Sequence, residues 1–294
     1  MKCLPASVAL AFGLWSGCST PSQMFTGADR QGAETTVVFS RASGAYIRPR
    51  NPDGTPAAQT YALKLGGNFG GPRYDRSIDR VDGQMVARIV AAALAEQNYR
   101  PGDDPAGTDL AIIVYWGTTI VPRDVNPVNQ RTSGALAEQA SLIGADAPGA
   151  SAVDTDQRNR LRAQQAEMAR LEANIDAMTN ARSANLLGYT GEIQRLRPTD
   201  PKLATLREEV EQNRYYVVLL AYDYREAAHA PRPQLLWETR FSIPERGNDF
   251  GRSLPMMASI AAPYFGHDSP GLARHRLGEG HVHVGDVKAI EPAP

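Results

Sequence analysis

The chain has 294 residues, 42% hydrophobic and 21% charged, a balance that suits a soluble globular body of one or two domains. Its 31 basic and 32 acidic residues leave a net charge of −1. That near-neutrality speaks against a nucleic-acid binder, which presents a basic stripe. The basic residues are 27 Arg and 4 Lys, a bias read as codon usage rather than as phosphate chemistry. The two cysteines, Cys3 and Cys18, both fall in the first 18 residues. Beyond them there is no disulfide, thiolate metal site or cysteine nucleophile, and cohesion has to come from a hydrophobic core.

Met1-Lys2 is a short positive start, and Leu4–Trp15 is an apolar run. The run has the size of a signal-peptide core and falls short of the roughly 20 residues of a membrane-spanning helix. It ends in Leu14-Trp15-Ser16-Gly17-Cys18-Ser19. This resembles the bacterial lipobox: Gly17 and Cys18 match, Ser16 is suitably small, and Trp15 stands where Leu is usual. The resemblance implies a signal peptide over 1–17 cleaved between Gly17 and Cys18, with acyl chains such as palmitate on Cys18. Several such chains make a stable membrane anchor. Ser19 in place of Asp implies sorting to the outer membrane, facing the periplasm. An ordinary signal peptide leaving a free Cys18, or an uncleaved N-terminal helix, are the alternatives.

Residues 18–33 are small and polar, a tether to a body expected over 34–265. Thr35–Phe39 reads as a short strand, and Pro52-Asp53-Gly54 as a turn. Tyr61–Leu65 alternates as a strand that Gly66–Pro72 ends. Ile78, Val81, Met85, Ile89 and Ala93 recur at spacings of three and four, which predicts an amphipathic helix over 77–98. Ser77 is its expected N-cap, and Pro101-Gly102 its stop. Leu110–Thr119 is apolar on both faces, as is Tyr215–Tyr224, and such strands lie inside a sheet covered on both sides. Residues 121–155, rich in Pro, Asn, Ala, Gly and Ser, read as a mobile excursion.

Leu161, Met168, Leu171, Ile175 and Met178 form a heptad seam on an otherwise polar helix, and Leu203, Leu206 and Val210 repeat it after a Pro198–Pro201 break. The two helices can satisfy each other as an antiparallel pair. The reading is a coiled-coil-like helical hairpin inserted over 156–213, with Leu186–Tyr189 near its tip. Self-packing of the hairpin and capture of a partner are the two uses of that seam. Leu235–Ile243 alternates as a strand with one buried face, antiparallel to its predecessor, and Asp249 caps a last helix through Tyr264. From Gly266 to Pro294 the composition predicts a flexible tail. The fold class is therefore α+β, a mixed and mainly antiparallel sheet with packed helices.

Leu94-Ala95-Glu96-Gln97-Asn98-Tyr99, a polar loop and Thr108-Asp109-Leu110, with a later Leu236-Trp237 strand and a closing helix, resemble a group of uncharacterised bacterial envelope lipoproteins. In that group a helix ends near a Gly-Tyr pair, and Asn98 here replaces the Gly. The resemblance covers about 61–120 and 215–265. It implies an α+β envelope lipoprotein and carries no activity with it.

No constellation carries catalysis. Gly66–Gly71 lacks the Lys and following helix of a phosphate loop, and there is neither a Gly-x-Ser-x-Gly elbow nor a Ser-x-x-Lys. Asp75, Asp79 and Asp82 are interleaved with Arg76 and Arg80, the pattern of a solvated helix face. His267, His275, His281 and His283 lack a carboxylate or cysteine at ligand spacing, so no metal or cofactor is expected. Trp116, Tyr215, Tyr222, Tyr224 and Trp237 read as core, or as the lining of a pocket. The expected function is a non-catalytic interaction or structural module that holds an envelope partner, or a second copy of itself, through the helical arm. The alternative is a periplasmic ligand carrier or an enzyme acting on envelope polymers.

Overall fold

A computed structural model describes residues 35–44, 46–69, 76–119 and 152–276. Cys18 with its cleavage site, the 18–33 tether, residues 121–151 of the expected excursion, and His281 and His283 lie outside the described residues. The elements are β1 (Thr35–Ala42), β2 (Gln59–Phe69), α1 (Gly83–Glu96), β3 (Tyr99–Pro101) and β4 (Leu110–Thr118). After them come α2 (Ala152–Leu187), α3 (Thr190–Arg195), α4 (Pro201–Val210), β5 (Arg214–Asp223) and α5 (Tyr224–His229). The last are β6 (Leu235–Pro244), α6 (Phe250–Ala261) and β7 (Ala273–Arg276). The strands form one sheet in the order β3-β2-β4-β5-β6-β1-β7. β2 runs parallel to β3 and β4, and the other neighbours are antiparallel. The fold is α+β.

Alternation along β4 and β5 places Leu110, Ile112, Val114 and Trp116 beside Tyr215, Val217, Leu219 and Ala221 on one face. Val86, Val90 and Leu94 of α1 and Phe250, Leu254 and Met257 of α6 close over them, all fully buried. Trp237 of β6 lies in this layer, stacked on Phe265 at 6.0 Å and tilted against Tyr99 at 5.9 Å. The opposite face presents Val37, Tyr216 and Val218, and the insertion between β4 and β5 covers it with Ala184, Leu187, Tyr189, Leu206 and Val210. β5 is thereby buried on both faces over most of its length, whereas Ala111, Ile113 and Tyr115 on the second face of β4 are half-buried.

Several boundaries differ from the sequence expectation. Ser77 does not cap α1: it sits in a single 3₁₀ turn, Ser77–Arg80, and Asp82 caps the helix by accepting from Met85 N at 2.7 Å. Ser77 Oγ accepts instead from Phe250 N at 2.8 Å, the first amide of α6, so its capping chemistry serves a helix remote in sequence. α1 stops before Pro101-Gly102, because Asn98 takes φ 59°, the left-handed conformation that Gly favours at a helix end. β2 does not end at Gly66: it continues to Phe69, because a side chain at Gly66 would collide with the Tyr115 ring. Gly66 allows the close approach of the Tyr115 ring. Tyr224 opens α5 rather than ending β5. Of the tail expected from Gly266, residues 266–276 are instead folded, with Ala273–Arg276 paired to β1, and 277–294 lie outside the described residues. Residues Ala152–Thr155, assigned to the excursion, open α2.

The insertion is one long helix and two short ones. Leu186–Tyr189 is not its tip: Leu187 is 2% and Tyr189 0% exposed, seated on the sheet. α2 runs about 54 Å and the ten-residue α4 only about 15 Å, so α4 cannot pair the length of the seam. Its Leu203, Leu206 and Val210 are buried, and the last two pack on the sheet side and the final turn of α2. α2 ends in a Schellman motif, with Tyr189 N donating to Ala184 O at 2.8 Å and Gly188 N to Asn185 O at 3.2 Å. Gly188 has φ 80°, and a Cβ there would meet the Phe39 ring. Gly188→Ala is therefore expected to cost about 1–3 kcal/mol through left-handed strain and overpacking, read as a lower urea midpoint at unchanged m-value.

Candidate functional site

β6 alternates, so Glu238, Arg240 and Ser242 point away from the Trp237 layer and toward the insertion. Ser242 is taken up by the buried Arg214, whose Nε donates to Ser242 Oγ at 3.2 Å. Arg240 meets the end of α2. Its Nη1 donates to Asn185 O at 2.6 Å and Leu186 O at 3.3 Å, and its Nε and Nη2 donate to Glu238 Oε2 at 3.0 and 2.6 Å. Helix-terminal carbonyls lack intrahelical partners and carry the negative end of the dipole, so a cation there is favoured twice over. Arg240 and Glu238 side chains are both 16% exposed.

Beside this junction lies a cavity of about 280 Å3. Its floor is the β1–β6 surface of Phe39, Arg41, Glu238 and Arg240, and its rim comes from the α2–α3 turn, α3 and the Gly271-Leu272 loop. Arg41 is directly opposite Glu238 in the β1–β6 register. Glu192 on the rim accepts from Lys202 Nζ at 2.7 Å. A smaller cavity of about 20 Å3 lies on the same face, lined by Phe69, Thr118, Arg182 and Tyr216 among others.

The rim is held by a second polar network. Tyr189 donates to Glu209 Oε2 at 2.6 Å, and Arg274 Nη2 donates to both Glu209 oxygens at 3.1 and 2.9 Å, tying the α2–α3 turn, α4 and edge strand β7 together. Burial raises the Tyr189 phenol well above its ordinary range, with nearby Arg214 opposing and Glu209 adding to the shift. Burial likewise pushes Tyr216 up to about 12, opposed by Arg182. Both phenols stay protonated and serve as hydrogen-bond donors, Tyr216 to Phe69 O at 3.1 Å.

The sequence-derived seam is divided. The shielded stripe of α2 is Leu161, Gln165, Met168, Glu172, Ile175 and Thr179, and Leu171 and Met178 stand off it at 46% and 74% exposure. Leu203 is buried, and Leu206 and Val210 belong to the second layer instead. Trp116 and Trp237 are 5% and 0% exposed in the first layer, whereas both cavities lie on the other face. His275 Nε2 is 3.0 Å from Tyr264 Oη, and among the described residues no three His, Cys, Asp or Glu side chains converge as a metal site. Burial, with Arg50 and Arg48 nearby, lowers the His267 pKa. Among the described residues no helix is long and apolar enough to cross a membrane. The arginines of the cavity had no motif to announce them, because they come from three separate elements. The one local signal was the charged side of the alternating β6 strand.

No protein-family model matches the chain. No curated protein matches it either. Among solved structures it is similar to a PDZ domain protein from Parabacteroides distasonis, at 12% identity and a TM-score of 0.33, over 86% of this chain and 43% of that one. The chain spans less than half the length of that protein, and a likeness of this size assigns neither fold nor activity.

Arg240→Met is expected to destabilise by about 2 kcal/mol, less than a fully buried pair because solvent reaches both partners. Adding Glu238→Leu, which removes the stranded carboxylate, should recover most of that loss in a denaturation cycle.

Proposed function

We propose that the chain is a non-catalytic interaction module of the bacterial envelope. In this reading it is lipid-anchored through Cys18 to the outer membrane, faces the periplasm, and holds an envelope partner or a second copy of itself through α2. The observation that carries it is the pair Leu171 and Met178, exposed one heptad apart on a helix whose surface is otherwise polar. A long helix bearing two large apolar side chains in line is suited to lie against another helix. No nucleic acid, metal or cofactor enters the reading. A ligand-carrier role, the second reading, finds its support in the arginine-lined cavity, since Trp116 and Trp237 are core residues.

Two measurements test the proposal. Palmitate labelling with membrane fractionation should mark the wild type and leave Cys18→Ala unlabelled; label absent from both would remove the anchor. A photo-crosslinking residue at 171 or 178 should give one discrete adduct in cells, whereas the same probe at the exposed Ala169 position, on the far side of the helix, should not. Identical patterns at all three positions would remove the arm.

A further inference from the structure

The charges lining the 280 Å3 cavity do not cancel. Three arginines, Arg41, Arg195 and Arg240, and two carboxylates, Glu192 and Glu238, face it. Arg240 and Glu238 are closed on each other, and Glu192 is closed on Lys202. Arg41 and Arg195 remain, with no carboxylate partner among the described residues, and a guanidinium stays charged at any physiological pH. Two uncommitted planar forks around one concavity are the donor set for an oxyanion, which arginine can bind bidentately. Phe39 and Leu272 add an apolar flank. The volume falls just under the roughly 300–1,000 Å3 of small-molecule sites, so the occupant is small.

We propose that this cavity binds a small organic anion, carrying a carboxylate or a phosphate monoester, through Arg41 and Arg195. Arg240 has a different part: its donors are spent on Glu238 and on the α2 carbonyls, so it positions the floor and does not take the ligand. The proposal rests neither on the lipid anchor nor on the exposed face of α2, and its failure leaves both standing.

The test is calorimetric titration of the full-length chain with inorganic phosphate, glucose 6-phosphate, succinate and, as the uncharged control, glucose. One or more of the anions should bind with a stoichiometry of one, more weakly as salt is raised, while glucose does not bind. Success of the phosphates alone assigns the phosphate class, and success of succinate alone the carboxylate class. The double variant Arg41→Gln/Arg195→Gln should weaken binding about tenfold or more. Gly191 lines the cavity and has open space where a Cβ would stand, so Gly191→Trp should block the site. That replacement removes a helical glycine, and the melting temperature should not fall. Absence of binding by every anion, equal binding of glucose, or binding that survives both variants would overturn the proposal.

Discussion

Strands β4 and β5 are apolar on both faces, and the rest of the molecule answers that constraint. A strand of this kind cannot stand with one side in water without exposing a row of Val, Ile, Leu and Tyr side chains. The first face is closed by α1 and α6, elements contributed from either end of the chain. The second can be closed only by what the chain places between β4 and β5. The insertion is therefore a structural layer: Ala184, Leu187, Tyr189, Leu206 and Val210 do for Val37, Tyr216 and Val218 what α1 and α6 do for Trp116 and Trp237.

That second layer is thin, and polar contacts hold it where apolar cover runs out. Gly188 turns the chain sharply off the end of α2, and its amide reaches Asn185 O only at 3.2 Å, which leaves that carbonyl and Leu186 O able to take further donors. Arg240 supplies them from the sheet. Farther along, Tyr189, Glu209 and Arg274 join the turn to α4 and to the edge strand. The cavity is the space between these two sets of contacts. Its walls are fixed by hydrogen bonds and its floor by a strand pair, which is the rigidity a preformed site requires.

The sheet was legible because hydrophobic period is a local property. Two-sided runs in β4 and β5 and alternation in β6 each point to a strand and to its depth in the sheet. Caps were legible where the partner is local, as with Asp249, which accepts from Arg252 N. Ser77 shows the limit: its side chain is the right type beside a helical pattern, yet its acceptor role is exercised 173 positions away. The helical seam shows another. Heptad spacing indicates that residues share a stripe, but it does not say what covers the stripe. Leu206 and Val210 went to the layer that covers Val37, Tyr216 and Val218 rather than along the length of α2. The cavity was hidden for the same reason: Arg41, Arg195 and Arg240 converge only after three elements are in place.

The anchoring of α2 at its C-terminal end has a mechanical meaning. A rod about 54 Å long multiplies angle into distance: a tilt of about 10° carries one end through about 9 Å relative to the other. The fulcrum is the short stretch of Asn185, Leu186 and Gly188, and the same stretch meets Arg240 and borders the cavity. Whatever sets the angle of that junction sets the reach of the whole helix.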